Sequence, residues 1–344
     1  MTQSPTVILG SGLAGWTLAR ELRALSPSHP ITLITTNAGD FYSKPMLSNA
    51  FALKRSVSAL LQTTGQQQAE KIGVDLRAHM TVTAIDIENK TVCCDRAQFA
   101  YGDLVLAVGA NPIRLPLAGA THVLSVNDWW DYAVLRDRLD QVAPSRDPRV
   151  LILGAGLIGC EFANDLSVGG YRVDVVDPGE RALERLITPT DSAQLEAALA
   201  DLGVTFHFKT VANAVVETAD KRLAVTLANG QTHVADVVLS AVGLRPRTDL
   251  AAAAGLGVDR GVSVNPMGQA SVPNVWALGD CAAYPGLSTT EGAVGTPRVM
   301  PFVLPIMTAA KAMARSILGE PTAIVFPPMA VRVKTPAFPL TIHA

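Results

Sequence analysis

A short apolar strand, the signature Gly-x-Gly-x-x-Gly, a helix with apolar periodicity and a second apolar strand occur twice along this chain, and that repetition decides most of what it can fold into. The first copy opens with Thr6-Val-Ile-Leu-Gly10 and passes through Gly12, Leu13, Ala14 and Gly15 into helical spacing from Leu13 to Leu25. It breaks at Ser26-Pro-Ser-His-Pro30 and resumes as Ile31-Thr-Leu-Ile34. The second copy has Arg149-Val-Leu-Ile-Leu-Gly154, a helix from Gly156 to Val168 and the strand Arg172-Val-Asp-Val-Val176. Placing Gly10 on Gly154 sets the copies 144 residues apart, and GSGLAG then falls on GAGLIG with four of six positions identical. A later landmark recurs as well: Asp103-Leu-Val-Leu-Ala-Val-Gly109 resembles Asp236-Val-Val-Leu-Ser-Ala-Val-Gly243. A strand–helix–strand segment of about thirty residues is the building block of a parallel sheet with helices on its faces, so the class is α/β with two related units.

Glycine at these spacings has a mechanical meaning. Gly10 and Gly154 turn the chain, Gly12 and Gly156 let a pyrophosphate approach the backbone, and Gly15 and Gly159 let the helix pack close to its strand. Free N–H groups and the helix dipole then favour a diphosphate at Leu13 and Ala14 in one unit and at Leu157 and Ile158 in the other. A lone match to this pattern is often a mere tight turn; here strand and helix flank both copies, which predicts two Rossmann-like dinucleotide-binding domains. In the second unit the strand ends at Asp177, where a carboxylate accepts hydrogen bonds from both ribose hydroxyls and repels a 2′-phosphate, favouring NADH over NADPH. Arg181, four residues on, is the counter-indication, since it has the charge to meet a 2′-phosphate. In the first unit no acid stands in that place, which leaves Thr35 or Asn37 to meet the ribose.

Composition excludes several other classes. Across 344 residues, 28 basic side chains face 30 acidic ones, so no global charge draws the chain to nucleic acid or to an anionic membrane. Hydrophobic residues at 49% against charged ones at 17% supply cores and argue against disorder. The apolar run Val299–Ala310 is too short to span a bilayer and contains Pro301 and Pro305, and MTQSPTVILGSG has no targeting character, so a soluble, cytoplasmic protein is expected. Cys93, Cys94, Cys160 and Cys281 form no C-x-x-C and no disulfide framework; they are expected to be packing residues in a reducing compartment. No metal-ligand spacing stands out, and no metal is expected. A helix is expected near Val57–Gly73, strands at Thr81–Asp86 and Thr91–Cys94, a surface loop at Gly286–Arg298 and a helix at Met300–Leu318.

Val272-Pro-Asn-Val-Trp-Ala-Leu-Gly-Asp280 is a strand ending in Gly-Asp, and it is similar to the segment with which two-dinucleotide flavoproteins hydrogen-bond the ribityl chain and a phosphate of FAD. With the glycine loops, it resembles the FAD-dependent pyridine nucleotide oxidoreductase superfamily, in which an NAD domain is inserted into a discontinuous FAD domain. Tyr42-Ser-Lys-Pro-Met-Leu-Ser48, the helix after Gly154, Ser240-Ala-Val-Gly-Leu-Arg-Pro-Arg-Thr248 and Lys334-Thr-Pro-Ala337 narrow the resemblance to rubredoxin-NAD reductases, over nearly the whole chain. It implies FAD and NADH as cofactors. It places an FAD domain at residues 1–113 and 241–320, an NAD domain at 114–240 and a remnant of a C-terminal domain, otherwise mostly absent, at 321–344. It further implies Lys44 beside flavin N5 with Glu161 as its ion-pair partner, and Lys334 at the pyrimidine end of the flavin. Cofactor contacts are implied for Ser43, Pro45, Val82, Ala107, Gly109, Gly243, Gly279 and Asp280.

The close cysteine pairs of the disulfide-using relatives do not occur, which implies that electrons leave the flavin directly for an external carrier. The implied partner is rubredoxin or another small acidic iron or iron–sulfur carrier, met by basic residues among Lys44, Lys54, Arg55, Lys311, Arg315, Arg332 and Lys334. A ferredoxin reductase serving a P450 or dioxygenase, and an NADH-binding flavoprotein with a sensing role, remain alternatives at this stage. A monomer or weak dimer is expected.

Overall fold

The computed structural model describes residues 4–141, 147–286 and 295–343, and the chain divides into two units. The first comprises Met1–Tyr42, Leu61–Asn111 and Pro246–Pro327; the second comprises Ser43–Leu60, Pro112–Arg245 and Pro328–Ala344.

Each unit is organised around a five-stranded, wholly parallel sheet. In the first the order is Val275–Ala277, Asp103–Leu106, Thr6–Leu9, Ile31–Ile34, Asp75–Arg77. In the second it is Val123–Ser125, Val237–Ser240, Arg149–Leu153, Arg172–Val176, Val204–His207. The glycine-loop strand is therefore central in both, and the opening strand is buried along its whole length, as expected where helices cover both faces of a parallel sheet. Each unit also carries a three-stranded antiparallel meander, Val82–Asp86, Thr91–Cys94 and Gln98–Ala100 in one, Ala212–Glu217, Leu223–Leu227 and Thr232–Ala235 in the other. The duplication read from the glycine loops thus extends through the whole domain.

The strand Val275–Ala277 joins the first unit from 169 residues beyond the end of Asp103–Leu106, which makes that domain discontinuous around the second. Helix Leu13–Leu25 buries Trp16, Leu18 and Leu22, and the Trp16 indole donates to the Gly39 carbonyl at 2.9 Å. Helix Val303–Ile317 packs on it and tolerates Pro305 because a proline in the first turn removes no intrahelical hydrogen bond.

Two expectations change. The helix expected from Val57 to Gly73 begins only at Gly65; Ser58–Leu60 is a 3-10 turn and Leu61–Thr63 a strand paired with Phe41–Tyr42. Thr64 explains the late start, because its hydroxyl accepts from the Gln67 N–H while the Gln67 side chain accepts from the Thr64 N–H, a reciprocal cap that fixes the first turn. In the stretch Gly286–Arg298, residues 287–294 lie outside the described residues, but Gly295–Val299 is a strand antiparallel to Ala282–Gly286 and not a loop.

Candidate functional site

The two glycine loops are near superimposable in their constraints. Gly10 and Gly154 both have φ of +109°, a conformation that L side chains rarely adopt. A Cβ on Gly15 would lie 1.9 Å from the Gly10 carbonyl oxygen, and one on Gly159 would lie 1.9 Å from that of Gly154. These glycines are required by the protein's own packing. Gly12 and Gly156 differ: a Cβ there would meet no protein atom within 4 Å, so nothing inside the fold demands glycine. Both stand at the N-cap of a helix, Leu13–Leu25 and Leu157–Val168, with no side-chain cap to satisfy the first N–H groups. A glycine with open space before uncapped N–H donors fits a phosphate that must come close.

The two units diverge at the ends of their second strands. Backbone bonds place Thr35 level with Asp177, since the Gly10 N–H donates to Ile34 and the Gly154 N–H to Val176. Asp177 accepts from the Ala155 N–H at 2.6 Å and the Gly179 N–H at 2.7 Å, which holds a carboxylate beside the second glycine loop. In the first unit a neutral cluster takes its place: Thr35 and Ser11 hydroxyls lie 2.9 Å apart, and both reach Asn37 Oδ1, at 3.0 and 3.1 Å. Asn37 also accepts from the Gly39 N–H at 2.9 Å, as Asp177 does from Gly179. Arg181 is turned to Glu184, donating to its carbonyl at 3.0 Å.

Gly279, at φ +80°, brings the Gly-Asp segment to the first glycine loop: a Cβ there would lie 2.9 Å from Ala14 Cβ. Asp280 follows in the 3-10 turn Gly279–Cys281, with the buried Tyr284 hydroxyl accepting from the Gly279 N–H at 3.4 Å. Ala107 and Gly109 follow the strand Asp103–Leu106, Val82 begins the first meander, and Gly243 follows Val237–Ser240 at φ +111°.

A polar cluster in the second unit joins the expected Glu161 and Lys334 to Ser48, Asn164 and Asp165, which the sequence reading did not single out. Helix Leu157–Val168 buries Glu161, Asn164 and Asp165 on one face. Glu161 accepts from the Ser48 hydroxyl at 2.7 Å and from the Lys334 backbone N–H at 3.0 Å, and pairs with Lys334 Nζ at 2.5 Å. Asp165 accepts from the N–H groups of Phe51 and Ala52, at 3.1 and 2.8 Å, and Asn164 accepts from the Ala337 N–H at 3.1 Å. Burial raises the Asp165 carboxyl above the usual range. The helix face thus fastens both the Ser-Lys-Pro segment and the Lys-Thr-Pro segment. The expected partnership of Glu161 with Lys44 is corrected: the carboxylate pairs with Lys334, and Lys44 Nζ donates to Asn127 Oδ1 at 2.7 Å. Three acidic and amide side chains at i, i+3 and i+4 in an otherwise apolar helix were the available signal.

Of the basic residues singled out for a carrier, Lys44, Lys54, Arg55, Lys311, Arg315 and Arg332 are exposed, with Arg315 engaged by Glu320 at 2.9 Å, whereas Lys334 is half-buried and engaged by Glu161. The four cysteines are free; burial pushes the thiols of Cys160 and Cys281 up, to about 12 and about 11. Among the described residues, no helix is long and apolar enough to cross a membrane.

The pyridine nucleotide-disulphide oxidoreductase model matches residues 4–304. The chain belongs to the pyridine nucleotide-disulphide oxidoreductase family. This oxidoreductase is 41% identical over 340 residues to a rubredoxin-NAD(+) reductase of Alcanivorax borkumensis, covering 98% of this chain and 85% of that one. It is 38% identical over 336 residues to a nitric oxide reductase FlRd-NAD(+) reductase of Aeromonas hydrophila, covering 98% and 82%. Among solved structures, a ferredoxin reductase from Rhodopseudomonas palustris aligns with a TM-score of 0.86 at 27% identity, over 96% of this chain and 80% of that one. As a family member the oxidoreductase uses FAD and NADH. The open cradles at Gly12 and Gly156 fit those two dinucleotides.

Proposed function

We propose that this chain is an NADH-dependent flavoprotein reductase that passes electrons from NADH through FAD to a rubredoxin. The observation that carries the reading is the pair of equivalent glycine cradles, one with the Asp177 carboxylate beside its loop and one with a neutral cluster there, in a chain 41% identical to a rubredoxin-NAD(+) reductase. Flavin chemistry accepts a two-electron donor and releases single electrons to iron.

The residues divide the work. Gly10, Gly12, Leu13, Ala14 and Gly15 offer backbone N–H groups to the FAD pyrophosphate, Thr35 or Asn37 meets its ribose, and Gly279 and Asp280 hold its ribityl chain. Gly154, Gly156, Leu157, Ile158 and Gly159 hold the NADH pyrophosphate, and Asp177 selects the unphosphorylated ribose. Contacts of Ser43, Pro45, Val82, Ala107, Gly109 and Gly243 with the cofactors belong to the same proposal. Lys44 and Lys334 supply positive charge where negative charge collects on reduction. Glu161 acts as a positioning residue, holding Lys334 by its ammonium and its backbone at once. The four free cysteines suit a reducing cytosol, and burial keeps Cys160 and Cys281 out of redox chemistry. Exposed Lys54, Arg55, Lys311 and Arg332 are basic groups open to an acidic carrier.

The test is NADH oxidation with a rubredoxin, a ferredoxin and no carrier in parallel. The highest kcat/KM is expected with rubredoxin. A ferredoxin preference would overturn the acceptor, and slow flavin reduction by NADH would favour a sensing role instead.

A further inference from the structure

Three side chains far apart in sequence, Asp174, His207 and His233, converge in the second unit with their ligand atoms all within 4.8 Å of one another. We propose that they form a binding site for a divalent transition-metal ion such as Zn2+, outside the dinucleotide cradles. Asp174 lies in the strand Arg172–Val176, His207 ends the neighbouring parallel strand Val204–His207, and His233 comes from the meander strand Thr232–Ala235. The three are partly buried.

Their arrangement is that of ligands and not of a closed hydrogen-bond network. His207 Nε2 and Asp174 Oδ1 lie 2.8 Å apart, which satisfies one pair. The His233 ring lies 4.3 Å from the His207 ring, centroid to centroid, and tilted by 56°, so the imidazoles are neither stacked flat nor hydrogen-bonded to each other. His233 Nε2 is shielded from solvent and has no hydrogen-bond partner among the described residues. A buried ring nitrogen left unpaired is destabilising unless something occupies it. An ion would take that nitrogen as a ligand and share the His207–Asp174 pair.

Two imidazoles and one carboxylate suit Zn2+, which takes such N/O ligands at about 2.0–2.2 Å and leaves a fourth position for water. Ligand atoms around a tetrahedral ion of that size stand about 3.3 Å apart, so modest side-chain rotation closes the set. The ligands come from positions 174, 207 and 233, with no short spacing to betray them, which is why the sequence suggested no metal.

The test is calorimetric titration of Zn2+ into chelator-treated holoenzyme, comparing wild type with His233→Ala and Asp174→Asn. Wild type should take up one equivalent that is at least about tenfold weaker in each variant. Flavin reduction by NADH serves as the folding control and should stay unchanged in both. Any uptake by the thiols is common to all three proteins and cancels. Equal uptake in wild type and variants, or no uptake by wild type, overturns the site.

Discussion

Lys334 meets Glu161 twice, through its ammonium at 2.5 Å from Oε2 and through its backbone N–H at 3.0 Å from Oε1. The carboxylate side chain is 1% exposed and the lysine 23%, so a nearly buried anion is balanced by a cation that still touches solvent. Removing one partner of such a pair leaves the other charge uncompensated. Lys334→Ala is therefore expected to destabilise the protein by about 3 kcal/mol. Glu161→Gln should cost less, because the amide still accepts from the Lys334 N–H or the Ser48 hydroxyl. Denaturant midpoints measure both; a Lys334→Ala midpoint equal to wild type would show that the pair carries no stability.

Glycines in one loop should fail in different ways. Gly15→Ala puts a Cβ 1.9 Å from the Gly10 carbonyl oxygen and is expected to give little folded protein. Gly12→Ala has open space around it and should fold but purify with little FAD. The same logic makes Gly156→Ala a folded, FAD-loaded enzyme whose KM for NADH rises about tenfold, a loss of about 1.4 kcal/mol. Circular dichroism, flavin content and steady-state kinetics separate the three. A Gly12→Ala protein with full flavin would remove that glycine from the cofactor site.

Why some of this was legible in sequence and some was not follows from distance along the chain. The glycine loops are local: a Cβ on Gly15 would strike the Gly10 carbonyl oxygen five residues earlier in the chain, so the spacing alone carries that constraint. Asp177 likewise sits directly after its strand, beside the loop that its carboxylate caps. By contrast, Glu161 finds Ser48 and Lys334 across 113 and 173 residues, and no spacing rule links them. The same holds for residues 43–60, which follow the first unit in sequence yet belong to the second. There Trp129 donates to the Val57 carbonyl at 2.9 Å, and Arg136 lies 4.1 Å from the Phe51 ring centre. The late start of the helix at Gly65 was legible in principle, since Thr64 and Gln67 have the spacing of a reciprocal cap.

Asp177 caps the second glycine loop and is the carboxylate proposed to meet the ribose, and two substitutions separate the roles. Asp177→Asn retains an acceptor for one of the Ala155 and Gly179 N–H groups but loses the charge. It should keep wild-type stability within about 1 kcal/mol while narrowing the preference for NADH over NADPH. Asp177→Ala loses the caps as well, and KM for NADH should rise about tenfold or more. Kinetics with both nucleotides decide the matter, and an Asp177→Ala enzyme with wild-type KM values would remove the residue from the ribose site.

Thiol reactivity provides a test of the claim that electrons bypass cysteine. Only the thiolate is nucleophilic, and burial pushes Cys160 to about 12 and Cys281 to about 11. The sign is that of an acid whose charged form is disfavoured, so at pH 8 both remain protonated, and labelling should rise only as the pH approaches those values. Cys94 is also raised by burial, though less enclosed, while Cys93 is its partly exposed neighbour on the strand Thr91–Cys94. Native protein treated with iodoacetamide at pH 8 should therefore be modified at Cys93 and Cys94 alone, with Cys160 and Cys281 reacting only after denaturation. The alkylated enzyme should reduce its flavin with NADH at the rate of the untreated one, because neither modified thiol is in the proposed electron path. Mass spectrometry of the labelled peptides and stopped-flow flavin reduction measure the two halves, and loss of reduction on labelling Cys93 or Cys94 would require a thiol in the mechanism.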